Sequence, residues 1–138
     1  MRSGGRVLVD QLAVHGAELA FGVPGESYLD VLDALHDSHI RYVVCRHEVG
    51  AATMAEAYGK LTGRPGICMV TRGPGATHAS CGVHTAYQDA TPLLLLIGQV
   101  GREMMERGAF QEIDYRQMFG PMAKWVAQVD HAERIPEL

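Results

Sequence analysis

Two hydrophobic rhythms alternate along the chain. Four short apolar runs are continuous: Leu19-Ala20-Phe21-Gly22-Val23, Tyr42-Val43-Val44-Cys45, residues 66–71 and residues 93–97. Runs of that length, bounded by Gly, Pro or charged residues, read as strands, 42–45 as a short buried one and 93–97 as one covered on both faces. Between them apolar residues recur at helical spacing. Val7, Leu8, Leu12 and Val14 predict a helix over about 6–16, with Gly16 as its C-terminal cap. Ser27 is a suitable N-cap for a second helix, whose stripe is Tyr28, Leu29, Leu32 and Leu35. A third helix opens at His47, carries the small residues Ala51, Ala52, Ala55 and Gly59, and stops at Gly63 before Arg64-Pro65. A fourth follows Arg72-Gly73-Pro74-Gly75-Ala76-Thr77 and runs to about Asp89. Residues 113–119 suggest one or two helical turns, 125–129 a fifth strand, and Asp130 the cap of a further helix.

Helix and strand thus alternate five times. That rhythm predicts an α/β fold, a doubly wound, mostly parallel sheet with helices on both faces. Residues 98–111 are glycine-rich and charged, a connection long enough to suggest a functional loop. The last helix is expected to be incomplete at Leu138, as in a domain belonging to a longer protein.

Composition narrows the class. The chain has 138 residues, enough for one domain with a real core. Hydrophobic residues make up 47% and charged residues 20%, as in an ordinary soluble domain. A net charge of -4 without a basic patch argues against nucleic acid. The longest apolar run, 92–98, is too short to span a bilayer, and the charged N-terminal segment is not a signal peptide. Cys45, Cys68 and Cys81 form no CxxC. Two lie in apolar runs, which suggests reduced, buried thiols and a cytoplasmic protein. The seven histidines suggest no metal set by spacing. His36 and His39 sit at a solvated helix end, and His78 and His84 do not share a helix face. No metal ligands are expected on this chain.

Three strand-to-helix turns fall on one edge of such a sheet: Val23-Pro24-Gly25-Glu26, Arg46-His47-Glu48 and Thr71-Arg72-Gly73-Pro74-Gly75. In open α/β sheets ligands bind at that edge. Glycine there lets backbone approach a ligand, though Gly and Pro also simply make tight turns. Glu48 is the carboxylate at this edge. Taken alone, it could serve only the helix dipole. Gly73-Pro74-Gly75 matches neither GxGxxG nor GxxxxGK[ST], and Pro74 lacks a backbone donor. A planar, mostly neutral ring held by backbone and one carboxylate fits better than a nucleotide phosphate.

The sequence resembles the pyrimidine-binding N-terminal domain of thiamine-diphosphate enzymes, and within them the acetolactate synthase group. The segments that carry the resemblance are Phe21-Gly22-Val23-Pro24-Gly25, Cys45-Arg46-His47-Glu48-Val49-Gly50-Ala51-Ala52, Gly73-Pro74-Gly75-Ala76-Thr77, Gln88-Asp89 with Thr91-Pro92, Ile97-Gly98-Gln99-Val100 and Ala109-Phe110-Gln111-Glu112. They follow the family's order over nearly the whole chain. The resemblance implies that Glu48 hydrogen-bonds N1' of the cofactor's aminopyrimidine and so promotes loss of the thiazolium C2 proton. It places Pro24, Gly25, Thr71 and Gly73 in turns near the pyrimidine, and Phe110 and Gln111 over the reaction site. The implied reaction is decarboxylation of a 2-keto acid with transfer of the resulting carbanion, chemistry carried by the cofactor. Residues 1–138 would be the pyrimidine-binding domain, apparently without its C-terminal end. The central and diphosphate-binding domains lie outside this chain.

The sequence also departs from the family pattern. Glu26-Ser27 replaces small residues, Arg72 stands where Ser is usual, and His78 where Asn is usual. Arg72 and His78 are expected beside the pyrimidine contact, not at it. They leave open another 2-keto acid, or an acyl-CoA, as substrate. The family's Gly-Asp-Gly segment, which with a later Asn holds a divalent metal, is absent from the sequence. Mg2+ is therefore expected only on the diphosphate-binding domain, and FAD is possible in the full-length protein. A homodimer or homotetramer is expected, with the faces of Ala51, Ala52, Ala55 and residues 78–87 left for a partner. The rival reading is a non-catalytic stand-alone interaction module with the same fold, which has no need of Glu48.

Overall fold

The computed structural model describes residues 2–138. Four parallel strands form one sheet in the order β2-β1-β3-β4: β1 Leu19–Gly22, β2 Arg41–Val44, β3 Gly66–Val70 and β4 Leu93–Ile97. Before β1 comes α1 (Gly4–Val14). Helix α2 (Leu29–His36) links β1 to β2, α3 (Glu48–Thr62) links β2 to β3, and α4 (Pro74–Asp89) links β3 to β4. A short α5 (Tyr115–Phe119) follows.

Alternation along the central strands builds a core on each face. Phe21, Cys68 and Val70 face α3, α4 and α5, where Ala51, Ala52, Ala55, Ala76, Ala79, Val83 and Phe119 are buried. Ala20, Ile67 and Met69 face α1 and α2, against Val9, Leu12, Ala34 and Leu35. Helices thus cover both faces, and the chain reverses direction across the sheet between β1 and β3. That reversal opens a crevice outside the carboxyl ends of these two strands.

The small residues of α3 and α4 serve this packing. A Cβ at Gly82 would lie 2.6 Å from Ala52 Cβ and 2.7 Å from its carbonyl carbon, so the two helices meet almost backbone to backbone. Ala51, Ala52 and Ala55 have no exposed surface. They are therefore not available as the partner-facing surface expected from the sequence.

Several boundaries differ from those predicted. Ser27 is not a helix cap. It lies in a 3-10 turn, Glu26–Tyr28, and its hydroxyl bonds that of Thr71 at 2.8 Å. The stripe of α2 rotates accordingly: Tyr28 and Leu35 are buried while Leu29 is exposed. Val14 is likewise exposed at the end of α1, where Val9 and Leu12 make the core contacts. The predicted fifth strand over 125–129 has no ladder partner. Val126 packs on the α3/α4 core, but Trp125 is 61% exposed, so the apolar run docks by side chains alone. Asp130 caps nothing, since only a 3-10 turn follows at Ala132–Arg134, with His131 at its N-cap. Asp114 does cap α5, accepting from the N–H groups of Arg116 and Gln117.

Candidate functional site

The three turns identified in the sequence meet at the β1/β3 crevice. Glu48 is the first residue of α3, directly after the N-cap His47, whose Nδ1 accepts the Val49 N–H at 3.2 Å. The Glu48 side chain is only 13% exposed. A Cβ on Gly75 would stand 2.9 Å from Thr71 Cγ2 and 3.6 Å from Glu48 Oε1. One on Gly25 would stand 2.5 Å from Thr71 Cβ. Thr71 is thus the hub: it touches the Gly25 turn through its methine, Ser27 through its hydroxyl, and Gly75 through its methyl. Pro24 lies exposed in the connection from β1 to Gly25.

Gly73 sits on the far side of this hub. Its φ of 60 and ψ of -116 suit glycine alone. Its N–H donates to the Tyr115 hydroxyl at 2.8 Å. Burial raises the Tyr115 pKa, opposed by that hydrogen bond and by Arg72, so the phenol stays neutral. A Cβ on Gly73 would lie 2.6 Å from Gln111 Cβ, which seats Gln111 directly on the third turn.

Phe110 reaches the same turn by its backbone. Its carbonyl accepts from Arg72 Nε at 3.0 Å, and its ring is 75% exposed. The Arg72 guanidinium also pairs with Glu26 at 2.6 Å. The two charged departures in the sequence are therefore partners of each other. With Ser27, Gln99 and Phe110 they line a crevice of about 610 Å³. Glu48 is not part of that lining, so the crevice and the carboxylate occupy adjacent parts of the edge.

His78 is the clearest change from expectation. It lies at the Glu48 carboxylate itself. Its Nδ1 is 3.0 Å from Glu48 Oε2, and its ring stacks obliquely on His47 with centroids 4.6 Å apart. The cause is the close α3/α4 packing, which brings the second turn of α4 over the first residues of α3. Sequence spacing compares histidines along one helix and misses a set drawn from two.

Glu112 is a further residue the sequence reading did not single out. Its carboxylate accepts the N–H groups of Glu106 at 2.5 Å and Ala109 at 3.1 Å. The Glu106 bond above all, opposed by burial and helped by the backbone N–H groups of Ala109, Arg107 and Gly108, holds its carboxyl below the usual range. These bonds close a small ring of backbone that contains two left-handed residues, Glu106 and Gly108, just before Phe110. A motif ending in Glu after an exposed, glycine-containing loop was the available clue.

Buried Cys68 stands beneath the site in β3. Burial, with Cys45 and Glu48 adding to it, pushes its thiol up to about 12. It is inert packing, and no cysteine is disulfide-bonded.

Comparison with known proteins gives the class. The family model described as thiamine pyrophosphate enzyme, N-terminal TPP binding domain, matches residues 2–118. The chain belongs to that family. Within it, the chain is similar to acetolactate synthase large subunits. It is 41% identical over 139 residues to the acetolactate synthase isozyme 3 large subunit of Escherichia coli (strain K12), covering 100% of this chain and 24% of that one. It is 39% identical over 134 residues to a probable acetolactate synthase large subunit of Methanocaldococcus jannaschii, covering 97% of this chain and 23% of that one. The Haemophilus influenzae large subunit is 41% identical over 135 residues, covering 97% and 24%. The chain thus spans about a quarter of the length of these relatives.

Proposed function

We propose that this chain is the pyrimidine-binding part of a thiamine-diphosphate-dependent enzyme that decarboxylates a 2-keto acid and transfers the resulting carbanion, as an acetolactate synthase does. The observation that carries this reading is Glu48: a largely enclosed carboxylate at the start of α3, on the crevice where β1 and β3 end. The donor set fits the group. Gly75 and Thr71 bring the third turn against this one carboxylate, and Gly25 packs on the same Thr71, a polar set that suits a mostly neutral ring.

Thiamine diphosphate, when bound, supplies a thiazolium carbon that adds to a keto carbonyl and takes up the electron pair released with carbon dioxide. In this reading Glu48 holds or shares a proton at N1' of the aminopyrimidine, and proton sharing there assists loss of the C2 proton. The turns at Gly25 and Thr71–Gly73 orient the ring by backbone contact. His78 donates to, or shares a proton with, the opposite oxygen of Glu48 and fixes its rotamer. Phe110 and Gln111, anchored on the Gly73 turn, border the substrate side. Mg2+ and diphosphate contacts are assigned to a separate diphosphate-binding domain, in an assembly of two or four copies.

The test is C2 proton exchange, followed by NMR, in a protein joining this domain to a diphosphate-binding domain. Glu48→Gln keeps the shape but cannot share the proton, and should slow exchange by about 10²–10⁴. An exchange rate equal to that of the parent would refute the assignment.

A further inference from the structure

Among the described residues, His47, Glu48 and His78 form the one group of three or more side chains that could together hold a metal ion. Each offers an atom within 4.8 Å of the others. We propose that this group binds a borderline divalent transition ion of the Zn2+ or Co2+ type. Two imidazoles and a carboxylate are a ligand set such ions accept, with a further position open to water. Hard Mg2+ prefers an all-oxygen shell and is not expected here.

The geometry is close to what ligation requires. Ligands about 2.1 Å from a tetrahedral ion lie roughly 3.4 Å apart. His78 Nδ1 and Glu48 Oε2 are already at 3.0 Å, and the whole set spans no more than 4.8 Å. Side-chain rotation closes the difference, because the backbones are fixed by the Ala52–Gly82 approach of α3 and α4. Both imidazoles are exposed and Glu48 is not. The charge is therefore sheltered while an entry path stays open.

The proton count balances. The ion replaces the hydrogen between His78 Nδ1 and Glu48, with His78 ligating as the neutral Nε2–H tautomer. Taken at His47 Nδ1, it displaces the bond from the Val49 N–H. That group lies in the first turn of α3, where water can satisfy it. An ion there would occupy the carboxylate that the proposed function gives to the aminopyrimidine, and the two would exclude each other. Metal binding itself does not rest on that role.

The experiment is titration of the untagged chain with Zn2+ by calorimetry and with Co2+ by visible absorption. One ion per chain is expected, with the intense bands of four- or five-coordinate Co2+. His47→Asn retains a helix cap and His78→Asn changes an exposed position, so both should fold. Each should weaken binding by at least about tenfold. Cys81→Ser and His84→Asn, exposed on α4 outside the group, should change nothing. A tenfold excess of Mg2+ should not displace the ion. Absence of stoichiometric binding would overturn the proposal. So would binding that survives His47→Asn but falls with Cys81→Ser or His84→Asn, because the ion would then sit on the outer face of α4.

Discussion

Replacing Gly73 by Ala tests how the third turn holds the Phe110-Gln111 loop. At φ 60 and ψ -116 the residue lies where an L side chain is strained, at a cost of about 1–3 kcal/mol. The new methyl would also meet Gln111: 2.6 Å to its Cβ, 3.0 Å to its carbonyl oxygen and 3.1 Å to its Cα. Two of those atoms are backbone, so rotating a side chain does not relieve the clash. Forced packing of this kind adds about 1–3 kcal/mol. The sum is about 2–6 kcal/mol if the turn keeps its place. With a urea slope near 2 kcal/mol/M, the midpoint should fall by about 1–3 M. The loop can instead lift from the turn, breaking the Gly73 N–H to Tyr115 and Arg72 to Phe110 hydrogen bonds. Amide exchange over residues 102–112 would then quicken while the midpoint falls less. Gly50→Ala is the control: it is helical, exposed, and has nothing within 4 Å of a new Cβ. It should raise stability by about 0.5–1 kcal/mol. A Gly73→Ala protein with an unchanged midpoint and unchanged exchange in that loop would refute the account of the turn.

Glu112 should make loop order depend on pH. Its folded pKa lies below the unfolded value of about 4.3, so its contribution is present above pH 4.3 and is lost as pH falls through the lowered folded value. Proteolysis within 102–112 should rise on acidification over that range, and Glu112→Gln should show the faster cleavage already at pH 7; a variant with parental cleavage at both pH values would contradict the ring of bonds around this carboxylate. The 138-residue chain alone should bind thiamine diphosphate no tighter than roughly millimolar, about −4 kcal/mol, and should not decarboxylate pyruvate. Micromolar binding by calorimetry, or turnover, would show that contacts outside this chain are not needed.

The sheet was legible because its strands are continuous apolar runs and its turns are marked by Gly and Pro. Burial was less legible than position: 93–97 reads as a strand covered on both faces and 42–45 as a buried one, yet β4 is only half-buried and β2, at the sheet edge, exposes Val44, while β3 between them is buried throughout. Glu48 was legible for the same reason, since the run ending at Cys45 and the alanine-rich segment after it fix where a helix must start. The end of the chain was not. Val126 and Trp125 alternate as strand residues do, but a strand exists only if a neighbour offers its hydrogen bonds, and local sequence does not report the neighbour. The same limit hid the cross-turn pairs. Ser27 with Thr71, Glu26 with Arg72 and His78 with Glu48 join residues distant in sequence, and each is chosen by the packing of helices that must first be placed.

Those pairs bear on the substrate. Read from the sequence, Arg72 in place of a neutral residue leaves another 2-keto acid, or an acyl-CoA, open as substrate. In the structure the guanidinium gives one nitrogen to Glu26 and another to the Phe110 carbonyl, and only 13% of the side chain is exposed. As a unit the Glu26–Arg72 pair carries no net charge into the crevice. A second carboxylate on a substrate would have to displace Glu26 and would leave one anion unpaired in its place. The pair is better suited to holding the first and third turns together, and with them the loop that presents Phe110. In the proposed function, any shift in substrate range that follows from these residues would therefore act through the shape of the crevice between Ser27, Gln99 and Phe110, and not through a free positive charge.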